Sequence, residues 1–160
     1  MKTENKVWFI TGGNKGLGAA IVKEALTQGY NVVATARNTE NAEKALGNHP
    51  NLLIVKLDVT NQEEVKQSVA AATERFGQID VLVNNAGYGL LGYFEEMSEK
   101  AIHRQMETNL FGTMKVTRAI LPVMRRQGTI FIFQKGSQSG IYWCSNLSHI
   151  YPQNNFLLFY

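Results

Sequence analysis

Cysteine is almost absent from this 160-residue sequence, because Cys144 is the single one. One cysteine excludes an internal disulfide framework and a multi-cysteine metal site, and it fits a reducing, cytoplasmic compartment better than an oxidising one. Proline is also scarce, with 3 residues, and only 18% of the residues are charged. The hydrophobic content of 44% suffices for one buried core, so the composition predicts a folded domain and excludes a disordered chain.

Long apolar runs are missing as well. A membrane span needs about eighteen or more apolar residues in a row, and no segment approaches that length. The apolar run Val7–Ile10, which follows a polar N-terminus, is too short for a secretory signal. The net charge of +3 comes from basic residues that are scattered and not clustered. The sequence therefore predicts neither a membrane nor a nucleic acid as partner, whereas a phosphate-bearing ligand fits the charge.

Charged residues are absent from the end of the chain. All of them lie between Lys2 and Lys135, and residues 136–160 contain none although several are aromatic. Within this tail, Ile141–Cys144 shows no strand-like alternation of apolar and polar residues. We interpret residues 1–135 as the domain and residues 136–160 as an aberrant uncharged tail. Truncation or a frameshift would produce such an abrupt change of composition.

Short β-rich runs alternate with helical patterns before that break. Strands are predicted over 7–11, 31–36, 52–57, 79–83 and 129–133. Helices are predicted from Gly16, from an N-cap at Asn61 with Glu63 and Glu64 in the first turn, and over 98–126, where Pro122 should kink or end the helix. This alternation predicts an α/β fold with a doubly wound, Rossmann-like parallel sheet. Because the pattern stops after the fifth strand, we expect an incomplete sheet whose exposed edge favours homo-oligomers.

A glycine-rich loop, Thr11-Gly12-Gly13-Asn14-Lys15-Gly16-Leu17-Gly18, follows the first strand and opens the first helix. Glycines let a backbone turn sharply and approach a pyrophosphate, which then faces the free amides of the helix N-terminus. The glycine spacing alone is a weak signal, and an ordinary turn is the alternative. Its position between a strand and a helix makes a dinucleotide phosphate site the better interpretation.

Further motifs follow in order, namely Asp58-Val59-Thr60, Asn84-Asn85-Ala86-Gly87 and Asn109. Together with the glycine loop they resemble the short-chain dehydrogenase/reductase family from about Lys6 to Ile132. The resemblance implies a nicotinamide dinucleotide bound across the carboxyl ends of the strands, and an alcohol or carbonyl substrate. The cofactor-binding residues that it implies are Thr11, Gly12, Asn14, Lys15, Gly16, Leu17, Gly18, Arg37, Asp58, Val59, Asn85, Ala86 and Gly87. For Asp58, which would face the adenine, capping of its own turn is an alternative role.

The end of the second strand favours NADP over NAD. It reads Ala36-Arg37-Asn38, so no carboxylate is present to repel a 2′-phosphate. Arg37 could bind that phosphate through two charge-assisted hydrogen bonds, and Lys15 could add a second positive charge. The alternative is that both are solvated surface cations.

The catalytic residues that the resemblance implies are only partly present. Asn109 matches the asparagine of the proton relay, and Ser137 matches the serine that orients the substrate oxygen. Tyr151 stands where the acid–base tyrosine is expected, but Asn155 replaces the lysine four residues later. Without that cation the phenol keeps its ordinary pKa near 10 and is a poor base. We therefore expect an NADP(H)-dependent oxidoreductase by resemblance with little or no turnover; a non-catalytic dinucleotide-binding protein and a defective truncated product are the alternatives.

Overall fold

A computed structural model describes residues 6–135 and the strand at 141–144. Five parallel strands form the sheet in the order β3-β2-β1-β4-β5, which confirms the predicted doubly wound parallel sheet. The central strand β1 pairs on both sides, with Phe9 opposite Val33 of β2 and Leu82 of β4. The strands are β1 (Val7–Ile10), β2 (Asn31–Ala36), β3 (Leu52–Lys56), β4 (Val81–Asn84) and β5 (Phe131–Lys135).

The described residues form five α-helices. They are α1 (Gly16–Thr27), α2 (Thr39–Leu46), α3 (Gln62–Phe76), α4 (Glu99–Met106) and α5 (Thr113–Gln127). Of these, α1, α2, α3 and α5 pack on the sheet. Helix α2 was not predicted from the sequence. A 3₁₀ turn, Phe94–Glu96, precedes α4, and a π-helical segment, Glu107–Gly112, joins α4 to α5 without a break.

Alternate residues of β1 enter two different cores, as the two-residue period of a strand requires. Phe9 packs in a cluster with apolar residues of α3 and α5, whereas Ile10 packs in a second cluster with Val22 and Ala25 of α1. Both β1 side chains are fully buried. The sheet is therefore buried on both faces, which explains why its strands are almost continuously apolar.

Two helix predictions have different outcomes. The side chain of Asn61 accepts hydrogen bonds from the amides of Glu63 and Glu64, at 3.0 and 3.2 Å, so the predicted N-cap of α3 is confirmed. The expectation that Pro122 ends its helix is wrong, because α5 continues to Gln127, and the alternative, a kink at Pro122, stays a prediction. The flanking residues Ile120 and Val123 are buried in the core, and this tertiary packing outweighs the local preference of proline.

The expected exposed edge at β5 is wrong. A sixth strand, β6 (Ile141–Cys144), pairs antiparallel with β5, and Ile132 lies opposite Cys144. This strand was not predicted because alternation of apolar and polar residues was the signal sought there, whereas Ile141–Cys144 is a short continuous apolar run, which is also consistent with a strand. Within the described residues, no helix has both the length and the apolar character that crossing a bilayer requires. The division at residue 135 into a domain and a tail stays a prediction.

Candidate functional site

Parallel strands bring the predicted motifs to one edge of the sheet. The glycine-rich loop follows β1, Arg37 follows β2, Asp58 lies just after β3, and Asn85 directly follows β4. The carboxyl ends of parallel strands point the same way, so these segments form neighbouring walls of one cleft. Ligands bind at this position in open α/β sheets.

The glycine-rich loop depends on the absence of side chains. Gly12 and Gly16 have φ values of 64° and 53°, a left-handed conformation that side chains disfavour. Gly18 is buried, and a Cβ atom there would lie 2.2 Å from the carbonyl oxygen of Gly12 and 2.5 Å from Nδ2 of Asn85. The first turn of α1 therefore packs directly on the loop backbone, and only glycine fits at position 18.

Thr11 and Asn85 join the glycine-rich loop to the loop after β4. The buried Oγ1 of Thr11 accepts hydrogen bonds from the amides of Asn85 and Ala86, at 3.0 and 2.9 Å. In return, Nδ2 of Asn85 donates to the carbonyl oxygens of Thr11 and Gly12, at 3.0 Å each. These four hydrogen bonds fix the two loops relative to each other. Thr11 and Asn85 thus stabilise the two loops that border the cleft.

The N-terminus of α1 is suited to an anion. Its N-cap residue, Lys15, makes no capping hydrogen bond with its side chain, and the first turn contains no acidic residue. Helices α2, α3 and α4 differ, because each has a side-chain N-cap and an acidic residue in its first turn. The partial positive charge at the start of α1 is therefore not neutralised by the helix itself, and it favours a bound phosphate.

Arg37 is exposed directly after β2. Its neighbour Asn38 is used structurally, because its side chain caps α2 by accepting the amide of Asn41 at 2.9 Å. Among the residues that the structure describes, no hydrogen bond or ion pair engages the guanidinium of Arg37 or the ammonium of Lys15. Both cations are therefore available to a ligand.

The two carboxylate oxygens of Asp58 differ, because one caps the turn after β3 and the other makes no hydrogen bond within residues 6–135. Oδ1 accepts hydrogen bonds from the amide and the hydroxyl of Thr60, at 2.9 and 2.8 Å, so the alternative role as a turn cap is confirmed. Oδ2 has no partner among residues 6–135. Burial raises the pKa of Asp58, but the Thr60 hydrogen bonds and the charges of Arg37 and Lys115 outweigh it, and the pKa is lowered overall.

Glu64 of α3 also binds the turn that contains Asp58. Its Oε2 accepts the amide of Asp58 at 2.7 Å, and its Oε1 lies 2.9 Å from Nζ of Lys56. These two interactions lower the pKa of Glu64. The sequence offered Glu64 only as a helix first-turn residue, so its contact with the turn was missed.

Asn109 lies in the π-helical segment and faces the loop after β4. Its Oδ1 accepts the amide of Tyr88 at 3.1 Å, and its Nδ2 donates to the carbonyl of Tyr88 at 2.8 Å. A Cβ atom at Gly87 would lie 3.0 Å from Oδ1 of Asn109, so the loop passes very close to the helix. The structure thus brings Asn109 to the predicted site.

The remaining predicted residues divide into three groups. Leu17 and Gly87 are exposed, and Asn14 and Ala86 are half-buried in the loops. The side chain of Val59 is buried in the core with residues of α5, so only its backbone could contact a cofactor, and its predicted role stays a prediction. Ser137 and Tyr151 lie outside the described residues. Lys115, which contacts the Asp58 turn, carried no recognisable signal in the sequence.

Comparison with known proteins identifies this arrangement. The family model described as short chain dehydrogenase matches residues 6–148. The chain belongs to the short chain dehydrogenase family. The oxidoreductase BOA17 of Botryotinia fuckeliana is 41% identical over 137 residues, which are 84% of this chain and 50% of that protein. An uncharacterized oxidoreductase of Schizosaccharomyces pombe is 43% identical over 80% of this chain and 43% of its own length. The chain spans about half the length of these relatives.

Solved structures of the family agree in fold. A short-chain dehydrogenase from Streptomyces avermitilis superimposes with a TM-score of 0.76 at 38% identity, over 82% of this chain and 48% of its own. A 3-ketoacyl-(acyl-carrier-protein) reductase from Brucella melitensis, complexed with NADH, has a TM-score of 0.75 at 32% identity, over 78% and 52% of the two chains. An actinorhodin polyketide ketoreductase with NADPH has a TM-score of 0.74 at 33% identity, over 80% and 51%. Short chain dehydrogenases thus bind nicotinamide dinucleotides of both kinds.

The residues present fit such a dinucleotide. A Cβ atom at Gly18 would meet the carbonyl oxygen of Gly12, whereas the Cβ position of Gly16 has no atom within 4 Å, so the backbone at the start of α1 is open to a pyrophosphate there. Beside it, Oδ1 of Asn85 is buried and has no hydrogen-bond partner among the described residues. Within the same part of the chain, no group of three or more potential metal ligands occurs.

Proposed function

We propose that this chain binds NADP(H) as part of an oxidoreductase that acts on an alcohol or ketone, and that the 160-residue chain itself has little or no turnover. The observation that carries the cofactor proposal is the glycine-rich loop, which Thr11 and Asn85 hold against an uncapped helix N-terminus. Both the buried loop contacts and the free helix amides suit a pyrophosphate.

The preference for NADP(H) rests on Arg37 and Lys15. Family membership does not select the cofactor, since similar structures carry NADH or NADPH. Arg37 is exposed and makes no hydrogen bond or ion pair among residues 6–135, and the end of β2 has no carboxylate that would bind a ribose hydroxyl. A guanidinium there can bind a 2′-phosphate through two hydrogen bonds, each stronger than a neutral one.

Calorimetric titration with NADPH and NADH tests this preference. Hydrogen bonds to charged groups contribute about 1.5–3 kcal/mol, so we expect NADPH to bind roughly ten- to hundredfold more tightly than NADH. Arg37→Ala should remove most of that difference, whereas Arg118→Ala, an exposed arginine of α5, should leave it unchanged. Equal affinity of the wild type for both nucleotides would refute the proposed preference.

Low turnover is proposed because the proton-transfer machinery is incomplete. When bound, the nicotinamide ring would supply or accept a hydride. Asn109 is present and binds the loop after β4 at Tyr88. The lysine that would lower the pKa of Tyr151 is missing, because Asn155 stands at its position. Loss of positioned acid–base catalysis typically slows a reaction about a hundred- to ten-thousandfold.

Oxidation of NADPH with a panel of ketones and aldehydes tests the expected lack of activity. We expect a rate near the background, and we expect Asn155→Lys alone to leave it there, because a lysine also needs a correctly placed helix. Robust, substrate-dependent turnover that Tyr151→Phe abolishes would contradict this proposal.

A non-catalytic dinucleotide-binding protein is the second candidate function. Binding of NADPH without turnover is expected of this candidate and of the first one alike, so the gene tells the two apart: a Tyr-x-x-x-Lys pair encoded downstream in another reading frame favours a truncated oxidoreductase over a specialised binding protein. A chain that neither folds nor binds NADPH is a defective product. We also propose a cytoplasmic location and self-association of the chain, but this association does not use the edge of β5, because β6 pairs with it. Light scattering at increasing protein concentration tests the oligomers.

A further inference from the structure

The helical region after residue 106 contacts both loops that border the proposed cofactor cleft. Through Asn109 it binds the loop after β4 at Tyr88. Through Gly112 it packs on the turn after β3, because a Cβ atom at Gly112 would lie 2.6 Å from Cγ2 of Val59. The π-helical segment therefore packs on both loops, through the side chain of Asn109 and the backbone of Gly112. Such π-helical turns are frequent at functional sites.

Lys115 connects this region to the Asp58 turn by a direct hydrogen bond. Its Nζ donates to the carbonyl oxygen of Thr60 at 2.9 Å and also binds the carboxylate of Glu107. Thr60 in turn donates its amide and its hydroxyl to Oδ1 of Asp58. The side chain of Lys115 is only 28% exposed, so its ammonium is partly removed from solvent and held between two acceptors.

The consequence of this chain of contacts is that Asp58 has a fixed orientation. Thr60 occupies Oδ1, and Oδ2 has no partner among the described residues 6–135. An ionised carboxylate oxygen accepts hydrogen bonds only, so Oδ2 suits an N–H donor of a ligand. At the adenine end of a dinucleotide the exocyclic amino group is such a donor.

We propose that Lys115 is a positioning residue that, through Thr60, aims the carboxylate of Asp58 at the adenine amino group of the bound cofactor. This inference rests on the proposed function, because it requires that a dinucleotide binds in the cleft. Glu107 has the secondary role of holding the ammonium of Lys115 over the Thr60 carbonyl. An ordinary partly exposed ion pair would contribute only a little to stability and nothing to base recognition.

The test compares NADPH with nicotinamide hypoxanthine dinucleotide phosphate, in which a ring carbonyl replaces the adenine amino group. Calorimetry measures the binding of both to the full chain. We expect the wild type to prefer NADPH by about tenfold, which is the contribution of one charge-assisted hydrogen bond. Lys115→Met should bring this preference close to one, whereas Lys115→Arg should restore most of it. Arg118→Met, on the exposed side of the same helix, is the matched control and should keep the wild-type preference.

The outcomes are distinguishable. If Lys115→Met weakens both dinucleotides equally, or leaves the preference intact, Lys115 has only a structural role and the inference is wrong. If Lys115→Met does not fold, Glu107→Gln takes its place, and we expect a partial loss of the preference; an unchanged preference overturns the inference. If the folded wild type binds neither dinucleotide, the proposed function fails and this inference fails with it.

Discussion

Gly18→Ala tests the packing of the glycine-rich loop. The added Cβ would lie 2.2 Å from the carbonyl oxygen of Gly12. Even a favourable C···O contact is about 3.3 Å long, so the helix or the loop would have to move by about 1 Å. Overpacking of this kind costs about 1–3 kcal/mol. Loss of the hydrogen bond from Asn85 to Gly12 adds about 1 kcal/mol, and the higher helix propensity of alanine offsets at most about 1 kcal/mol.

We therefore expect Gly18→Ala to lower the free energy of unfolding by about 1–3 kcal/mol and to weaken NADPH binding. Urea unfolding measures the first effect and calorimetry the second. Gly89→Ala is the control, because no atom lies within 4 Å of the Cβ it would add. It should stay within about 0.5 kcal/mol of the wild type. A Gly18→Ala variant that is as stable as the wild type and binds NADPH equally well would refute the argument.

Two further predictions concern the polar contacts around the cleft. Thr11→Val removes the hydroxyl acceptor of the Asn85 and Ala86 amides. Asn85 keeps its hydrogen bond to the carbonyl of Val83 at 3.1 Å, so the cost comes mainly from the partly buried amide of Ala86 and should be about 1–3 kcal/mol, measured by urea unfolding, whereas Thr11→Ser should stay close to the wild type. Asp58 and Glu64 have pKa values below those of the unfolded chain, so their contribution to stability is present above about pH 4 and is lost as the pH falls through the folded-state values. The double variant Asp58→Asn/Glu64→Gln should show a flatter decline of stability below pH 5; a decline as steep as that of the wild type would exclude these two groups as its cause.

The fold could be predicted because its signals are local. Glycines between a strand and a helix, an N-cap at Asn61 and nearly continuous apolar strands each indicate one element, and together they allow few topologies. Helix α2 was missed because its eight residues contain only a short apolar pattern. Strand β6 was missed because only an alternating pattern was taken as a strand signal there, although a continuous run of β-branched and aromatic residues is also typical of strands.

The candidate site was predictable only where a motif marks it. The glycines, Arg37, Asp58 and Asn109 stand at recognisable positions after strands or in a helix, and the structure brings them to one edge of the sheet. Lys115 lies fifty-five positions along the chain from Thr60, to which it donates, and nothing in its local sequence indicates that contact. Membership of a motif also does not reveal that the side chain of Val59 is buried in the core, so a cofactor contact at Val59 stays a prediction that only its backbone could fulfil.

The central claim is that the loops after β1 and β4 form the cradle for a dinucleotide. Titration of the ¹⁵N-labelled full chain with NADPH, followed by amide chemical shifts in NMR spectra, tests it residue by residue. We predict saturable shifts at Gly12, Gly16, Gly18, Ala86 and Gly87, with a single dissociation constant. An absence of saturable shifts in a folded chain, or shifts confined to residues away from this edge of the sheet, would contradict the account.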